Sequence, residues 1–424
     1  MLDDLHRQYG PIVRTGPCDL SIAHPQGVRL IYGPQSPCTK NAFYDMSYPA
    51  QSLLSFREKP LHDRRRRVWS PGFSEKALRG YEKRIRVYRQ KLFDQLMARE
   101  GETVNAIQWF NFYAYDVMGD LAFARSFDML DDNENHWAIQ VLLDGLGPLE
   151  YMIPVWLLRL FLGIAMLSKD WWQFGKFCND RLMHRLKNTP DIPDISASLL
   201  APVDCDNLSS NDIGTLGADT RLILTAGSDT SAIALTMILY ELAQHPDEAQ
   251  KLRNELAPYT PDENGEYSHD QISQLMRLNG FINETLRLHP PIPGVIPRKT
   301  PPEGMKLGDT FIPGNINVSC PQWVLGRSTD VYVDPEKFTP ERWFEKPELI
   351  KEKSAFAPFT IGSYACIGKS LALMNLRTTT ARMIMTFDIQ FPPGVEGPSL
   401  LDNSREHFSL SIEHMPILLT RRQE

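Results

Sequence analysis

Hydrophobic and polar positions change rhythm twice along the chain. Up to about residue 60, short alternating pieces, PIVRTGP, DLSIAHP and GVRLIYG, are separated by Gly and Pro, the pattern of strands joined by turns. From about 60 to 290, apolar residues recur at helical spacing, as in SEKALRGYEKRIRVYRQKLFDQLMARE, VNAIQWFNFYAYDVMGDLAF and the run from Asn211 to Ala243. After HPPIPGVIP the short pieces return as KLGDTFIP and NINVSC. A loop-rich segment from Asp334 to Ala357 follows, then a helix over about Ile367 to Met385 and a strand-like tail with FDIQF and HFSLSIEH. No linker of Gly/Ser or Pro divides these parts. The pattern predicts one large domain over 1–424, mainly α with small β-sheets (α+β): β-rich at about 9–60, 295–320 and 386–424, helical over 60–290.

The most apolar window, LEYMIPVWLLRLFLGIAML at 149–167, approaches the length of a membrane span. Arg159 at its centre, with Pro154 and Gly163, argues against one. Two readings remain, a buried helix pair or a surface that dips into a membrane interface. The opening MLDDLHRQYGPIV is charged where a signal peptide has its apolar core, so neither a signal peptide nor an N-terminal membrane anchor is expected in this chain.

Composition changes this picture little: 42% hydrophobic and 23% charged over 424 residues is that of a folded globular protein. Charge changes it more. A formal net charge of -7 argues against a nucleic-acid binder, yet from Arg64 to Lys91 eleven Lys or Arg face only two acids, Glu75 and Glu82. Such a run is either a solvated helix face or a docking surface. Six cysteines lie far apart, without a CxxC pair or zinc spacing, which argues against a disulfide scaffold, favours a reducing compartment and leaves any metal to very few protein ligands.

One of the six, Cys366 in FAPFTIGSYACIGKSLALMNLR, stands between glycines and before a helix-periodic run. A thiolate that ligates iron needs N–H donors, shielding from water and room for a flat ring. Gly362 and Gly368 allow close backbone approach, Phe359 can cover the sulfur, and the following helix points its N-terminal dipole at the anion. Taken alone, a buried cysteine is far more often inert packing. Together, Phe359, Gly362, Cys366 and Gly368 resemble the cysteine loop of the cytochrome P450 family, Phe-x-x-Gly-x-Arg-x-Cys-x-Gly, here at 359–368, with Tyr364 where the pattern has arginine. The resemblance implies the family's fold, haem b as cofactor and Cys366 as axial ligand of its iron.

Further motifs follow in the family's order. Glu284 and Arg287 in NETLRLHPP share a helix face, and with Arg342 of PERW they resemble the family's structural triad. TAGSDTS at 225–231 puts Gly, Ser, Asp and Thr inside an apolar helical run, which costs helix stability and so points to function. It resembles the Ala-Gly-x-Asp-Thr motif, in which Gly227 opens a groove for dioxygen while Asp229 and Thr230 relay the protons that its cleavage consumes. His62 and Arg66 of LHDRRRRVWSPGF lie four apart, and with Arg298 of GVIPRKT they match positions that bind the haem propionates. A phenol at 364 donates one hydrogen bond but no charge, so these three are expected to compensate for the missing arginine.

The chain contains no GxGxxG fingerprint for a flavin or dinucleotide, so electrons from NADPH must come through a separate protein. The resemblance implies NADPH-cytochrome P450 reductase, with cytochrome b5 as a second donor. The Arg64–Lys91 region and Lys369 form the expected docking face. The implied activity is a haem-thiolate monooxygenase that hydroxylates or otherwise oxidises an apolar small molecule touching Leu53, Leu54, Ala226, Val295, Ile296 and Phe408. The phrasing of LHRQYGPIVRTGP and GVRLIYG is similar to microsomal members from filamentous fungi, which implies secondary metabolism, peripheral membrane contact and the cytosolic face of the endoplasmic reticulum. Alternatives are a non-oxygenating isomerase or dehydratase of the same family and a catalytically impaired haem protein.

Overall fold

The longest helical run folds as a single helix, Ser210–Gln244, in the computed structural model, which describes residues 2–422 except 47, 147–152, 206, 295 and 403. A capping box starts it: Ser209 Oγ accepts from the Asp212 N–H at 3.1 Å, and the Asp212 carboxylate accepts from the Ser209 N–H at 3.1 Å. It stops at His245 because Pro246 follows and disfavours helical geometry in the residue before it. Among the described residues it is the one helix long and apolar enough to cross a membrane, but 61% of its apolar window is buried inside the protein. It is the core helix of the domain.

Its main partner is Ala106–Phe123, apolar on nearly every side, with fifteen of eighteen residues buried. A helix of that composition has no face to offer solvent and must lie at the centre. Lys369–Thr386, which follows the cysteine, packs on the same central helix.

The strands form small sheets. One has the order Ile12–Gly16, Asp19–Ile22, Asn317–Ser319, Arg298–Lys299, Thr39–Lys40, with Lys40 directly opposite Arg298. Another joins Thr103–Asn105, Pro416–Arg421 and Phe387–Gln390. Hairpins form at Met305–Leu307 with Thr310–Ile312 and at Arg405–His407 with Ser409–Ser411. Helices thus dominate a single α+β domain. Its main apolar core joins the helices, and a second lies between the N-terminal segment and residues 305–357. The cysteine loop bridges them, since Phe359 and Ile367 pack on the first and Ile361 on the second.

Two expectations are corrected. GVRLIYG is a helix, Gly27–Tyr32, not a strand. Val28, Ile31 and Tyr32 are buried at helical spacing in the second core, and that packing overrides the β-preference of Val and Ile. The window 149–167 is not a buried helix pair. Residues 149–152 lie outside the described part, and the helix Val155–Gly163 leaves Trp156 70%, Leu160 56% and Phe161 40% exposed.

Candidate active site

Backbone geometry holds the cysteine loop. The Cys366 N–H donates to Phe359 O at 2.9 Å, and Thr360 Oγ1 donates to Tyr364 O at 3.2 Å. The helix begins at Lys369, later than the periodicity predicts, and the free N–H groups of Gly368 and Lys369 turn toward the sulfur. Burial pushes the Cys366 thiol up, whereas those two N–H groups and the charges of Arg66 and Lys369 pull it down. The side chain nonetheless keeps accessible surface. Phe359 packs on the main core, and Lys369 Nζ stands 5.9 Å from its ring centre.

The two glycines play different parts. Gly362 has φ +75°, and a Cβ there would stand 2.4 Å from Tyr32 O and 2.8 Å from Gly33 C. Gly362→Ala is therefore expected to destabilise the haem-free fold by about 2 kcal/mol or more, read as a lower urea midpoint. A Cβ on Gly368 would meet only Cys366 Sγ at 3.8 Å and Phe73 at 3.9 Å. Gly368→Ala should leave that midpoint within about 0.5 kcal/mol of the original and act on haem binding instead. Equal effects of the two changes would refute this division.

Cations converge beside the loop. Arg66 Nη1 donates to Ala365 O at 2.7 Å. His62 is buried, its ring edge-on to Tyr364 at 4.6 Å between centres. Burial and the Lys40 charge push its pKa down to about 4 despite its hydrogen bond with Asp63, so His62 is a neutral hydrogen-bonding group at pH 7. Arg298 is buried with its guanidinium 5.0 Å from the Tyr364 ring centre, and its Nε has no partner. Sequence reasoning missed Lys40 and Tyr44, which belong to the same cluster: Arg298 Nη1 donates to Tyr44 Oη at 2.5 Å, and Lys40 Nζ lies 4.9 Å from the Tyr364 ring centre. A lone lysine in CTKNAF carries no local signal of this. An iron porphyrin, with a metal to bind sulfur and two carboxylates to meet unpaired cations, fits these residues.

On the central helix, Ala226 is exposed and Thr230 sits one turn further on the same side. Thr230 Oγ1 donates to Ala226 O at 2.7 Å, which leaves its lone pairs free to accept. Ser231 Oγ bonds back to Gly227 O at 2.6 Å, and Ser228 Oγ reaches Ala114 O at 3.2 Å. Burial raises the Asp229 carboxyl, while the Ser409 hydroxyl and His407 draw it down. Its carboxyl is therefore set among groups of the tail, not against Thr230. Gly227 also differs from expectation. The helix is assigned without a break through it, and a Cβ there would stand 2.4 Å from Met118 Cε, so any larger residue needs the flexible Met118 side chain to shift.

The triad is assembled and fully buried. Glu284 receives Arg287 Nη2 at 2.7 Å, Arg342 Nε at 2.9 Å, Trp343 Nε1 at 2.9 Å and the Thr339 N–H at 2.7 Å. The expected substrate-contact residues are more scattered. Leu53 is a core residue whose N–H donates to Asp219 at 2.8 Å, and Leu54 is 42% exposed. Ile296 packs on the second core. Phe408, at φ 76°, stacks on Phe43 with ring centres 5.7 Å apart. Val295 lies outside the described residues.

The cytochrome P450 family model matches residues 1–419. The chain is 56% identical to the cytochrome P450 monooxygenase notG' of Aspergillus versicolor, covering 99% of this chain and 77% of that protein. It is equally identical, 56%, to a tryprostatin B 6-hydroxylase of Aspergillus fumigatus, over 100% of this chain and 76% of the other. A third relative, the cytochrome P450 monooxygenase sthD of Phaeosphaeria nodorum, is 40% identical over 98% of this chain and 88% of its own length. The crystal structure of a cytochrome P450DA heme domain shares the fold at TM-score 0.83 and 18% identity, with coverage of 100% and 91%. Relatives named as monooxygenases set the non-oxygenating alternative aside, and this chain belongs to the cytochrome P450 family as a monooxygenase.

Proposed function

We propose that this monooxygenase hydroxylates an apolar secondary metabolite with electrons that NADPH delivers through a separate reductase. The observation that carries the reading is 56% identity, over all 424 residues, to a tryprostatin B 6-hydroxylase. The overall reaction takes a substrate C–H, one dioxygen, one NADPH and one proton to the alcohol, water and NADP⁺. Held by Cys366, haem supplies the redox centre at which dioxygen is reduced and cleaved. Cys366 acts as thiolate ligand, supported by the Gly368 and Lys369 N–H groups. Arg66 and Arg298 meet the propionates. Thr230 accepts and passes protons at Oγ1, whereas Asp229, whose carboxyl is raised by burial, would join that relay only on turning from Ser409 and His407.

Tryprostatin B is the first substrate to test: purified protein with NADPH and a fungal reductase should yield a product one oxygen atom heavier. If it does not, metabolite profiling of a strain lacking the gene identifies the compound that accumulates. Thr230→Ala should lower product formed per NADPH about a hundredfold, at the low end of what a positioned proton donor contributes, whereas Thr230→Ser should retain most of it. Unchanged coupling in the alanine variant would remove Thr230 from the relay.

For the reductase, the basic run offers fewer free charges than its composition implies. Arg65, Arg84, Arg86, Arg89 and Lys91 pair with carboxylates of this chain. Arg64, Arg67, Lys76, Arg79, Lys83 and Lys369 remain exposed, and these would steer an acidic partner. The exposed Trp156, Leu160 and Phe161 form the proposed peripheral contact with the endoplasmic reticulum membrane.

A further inference from the structure

Tyr364 removes a positive charge at the position two before the ligating cysteine, and the three residues expected to compensate do not all carry charge. His62 is neutral at pH 7, which leaves Arg66 and Arg298. The structure adds a third cation from 324 positions earlier in the chain. Lys40 lies on the short strand Thr39–Lys40, paired directly across from Arg298, and is only 3% exposed. Its ammonium donates to Leu54 O at 2.6 Å and Leu53 O at 3.3 Å, which leaves one of its three N–H donors unused. It stands 4.9 Å from the centre of the Tyr364 ring, and Arg298 stands 5.0 Å from that same centre.

Like charges facing each other across strands repel, and a buried cation without an anion is costly. Nearby carboxylates are already engaged: Asp63 pairs with Lys59 at 2.5 Å and His62 at 3.1 Å, and Asp45 pairs with Arg57. Among the described residues no carboxylate pairs with Lys40, Arg66 or Arg298. Burial first, then the charges of Arg298 and Arg66, push the Lys40 pKa down to about 7, so an anion beside it is needed to keep it fully charged at pH 7. The orphaned Arg298 Nε is a further unmet donor in the same cluster.

We propose that Lys40 supplies the charge that the family pattern places at position 364, and that Lys40, Arg298 and the Tyr364 hydroxyl together hold a haem propionate. This rests on the haem-thiolate reading. The Tyr364 ring provides an aromatic face for both cations. Lys40 is thus a positioning residue for the cofactor, reaching it from the N-terminal sheet. Its bonds to the Leu53 and Leu54 carbonyls tie the same site to the loop at 50–56.

The test compares wild type, Lys40→Met, Lys40→Gln, which keeps a donor for the Leu54 carbonyl, and Lys40→Met with Tyr364→Arg. Four quantities are measured: haem per polypeptide, the rate of haem transfer to excess apomyoglobin, the midpoint potential, and the urea midpoint of haem-free protein. Both single variants should lose haem about ten- to a hundredfold faster, the equivalent of one hydrogen bond to a charged group. Their potentials should fall, because removing a nearby positive charge favours the oxidised state. Tyr364→Arg in the Lys40→Met background should bring both readouts back toward wild type. If transfer rate and potential stay at wild-type values in Lys40→Gln, or if Tyr364→Arg restores neither, Lys40 only tethers the 50–56 loop and the proposal is wrong. A wild-type protein that takes up no haem would overturn the haem-thiolate reading itself, an outcome visible before any variant is made.

Discussion

Glu284→Gln is expected to lower the unfolding free energy by about 3 to 5 kcal/mol, out of a total on the order of 5 to 15 kcal/mol for a folded protein. One carboxylate receives donors from Arg287, Arg342, Trp343 and the Thr339 backbone, and both guanidinium groups are fully buried. Glutamine replaces an acceptor oxygen with a donating amide and removes the charge that, among the described residues, alone pairs with these two buried cations. The damage should reach the site, because Arg342 also donates to Val333 O and Leu349 O and so organises the segment that leads into the cysteine loop. A urea unfolding curve and the haem content of the purified protein measure both effects. A loss below about 1 kcal/mol would mean that the triad is not what fixes this segment.

Cys366→Ser is expected to abolish turnover while leaving the fold intact. Serine is nearly isosteric, and the Gly368 and Lys369 N–H groups can still donate to its oxygen. Burial raises the Cys366 thiol, so its ionisation would depend on the metal it binds; a serine hydroxyl is a far weaker acid and would not supply the proposed anionic ligand. Circular dichroism and the haem-free urea midpoint should match wild type, whereas the reduced, CO-bound protein should lose the Soret band at the thiolate position. A variant that keeps this band would show that another residue ligates the iron.

Reading the sequence succeeded where chemistry is local. Glu284 and Arg287 lie three apart on one helix, the cysteine loop is contiguous, and the central helix carries its own start and stop signals. It failed where a neighbour distant in the chain decides. GVRLIYG carries strand-like residues, yet Val28, Ile31 and Tyr32 needed the second core to select the helix. Gly227 lies against the Met118 side chain of the neighbouring helix, a contact that its own local sequence does not announce.

The sequence by itself determined the fold class, the contiguous cysteine loop, the triad and the order of motifs. Each is written in spacing that backbone geometry converts directly into position. Only the tertiary structure decided how charge is distributed around Tyr364. Whether His62 is charged depends on its burial, and whether Lys40 belongs to the site depends on its pairing with a strand 258 positions later, Lys40 against Arg298. Electrostatics follows distance in space and access to water, and neither is encoded in the local pattern of the chain.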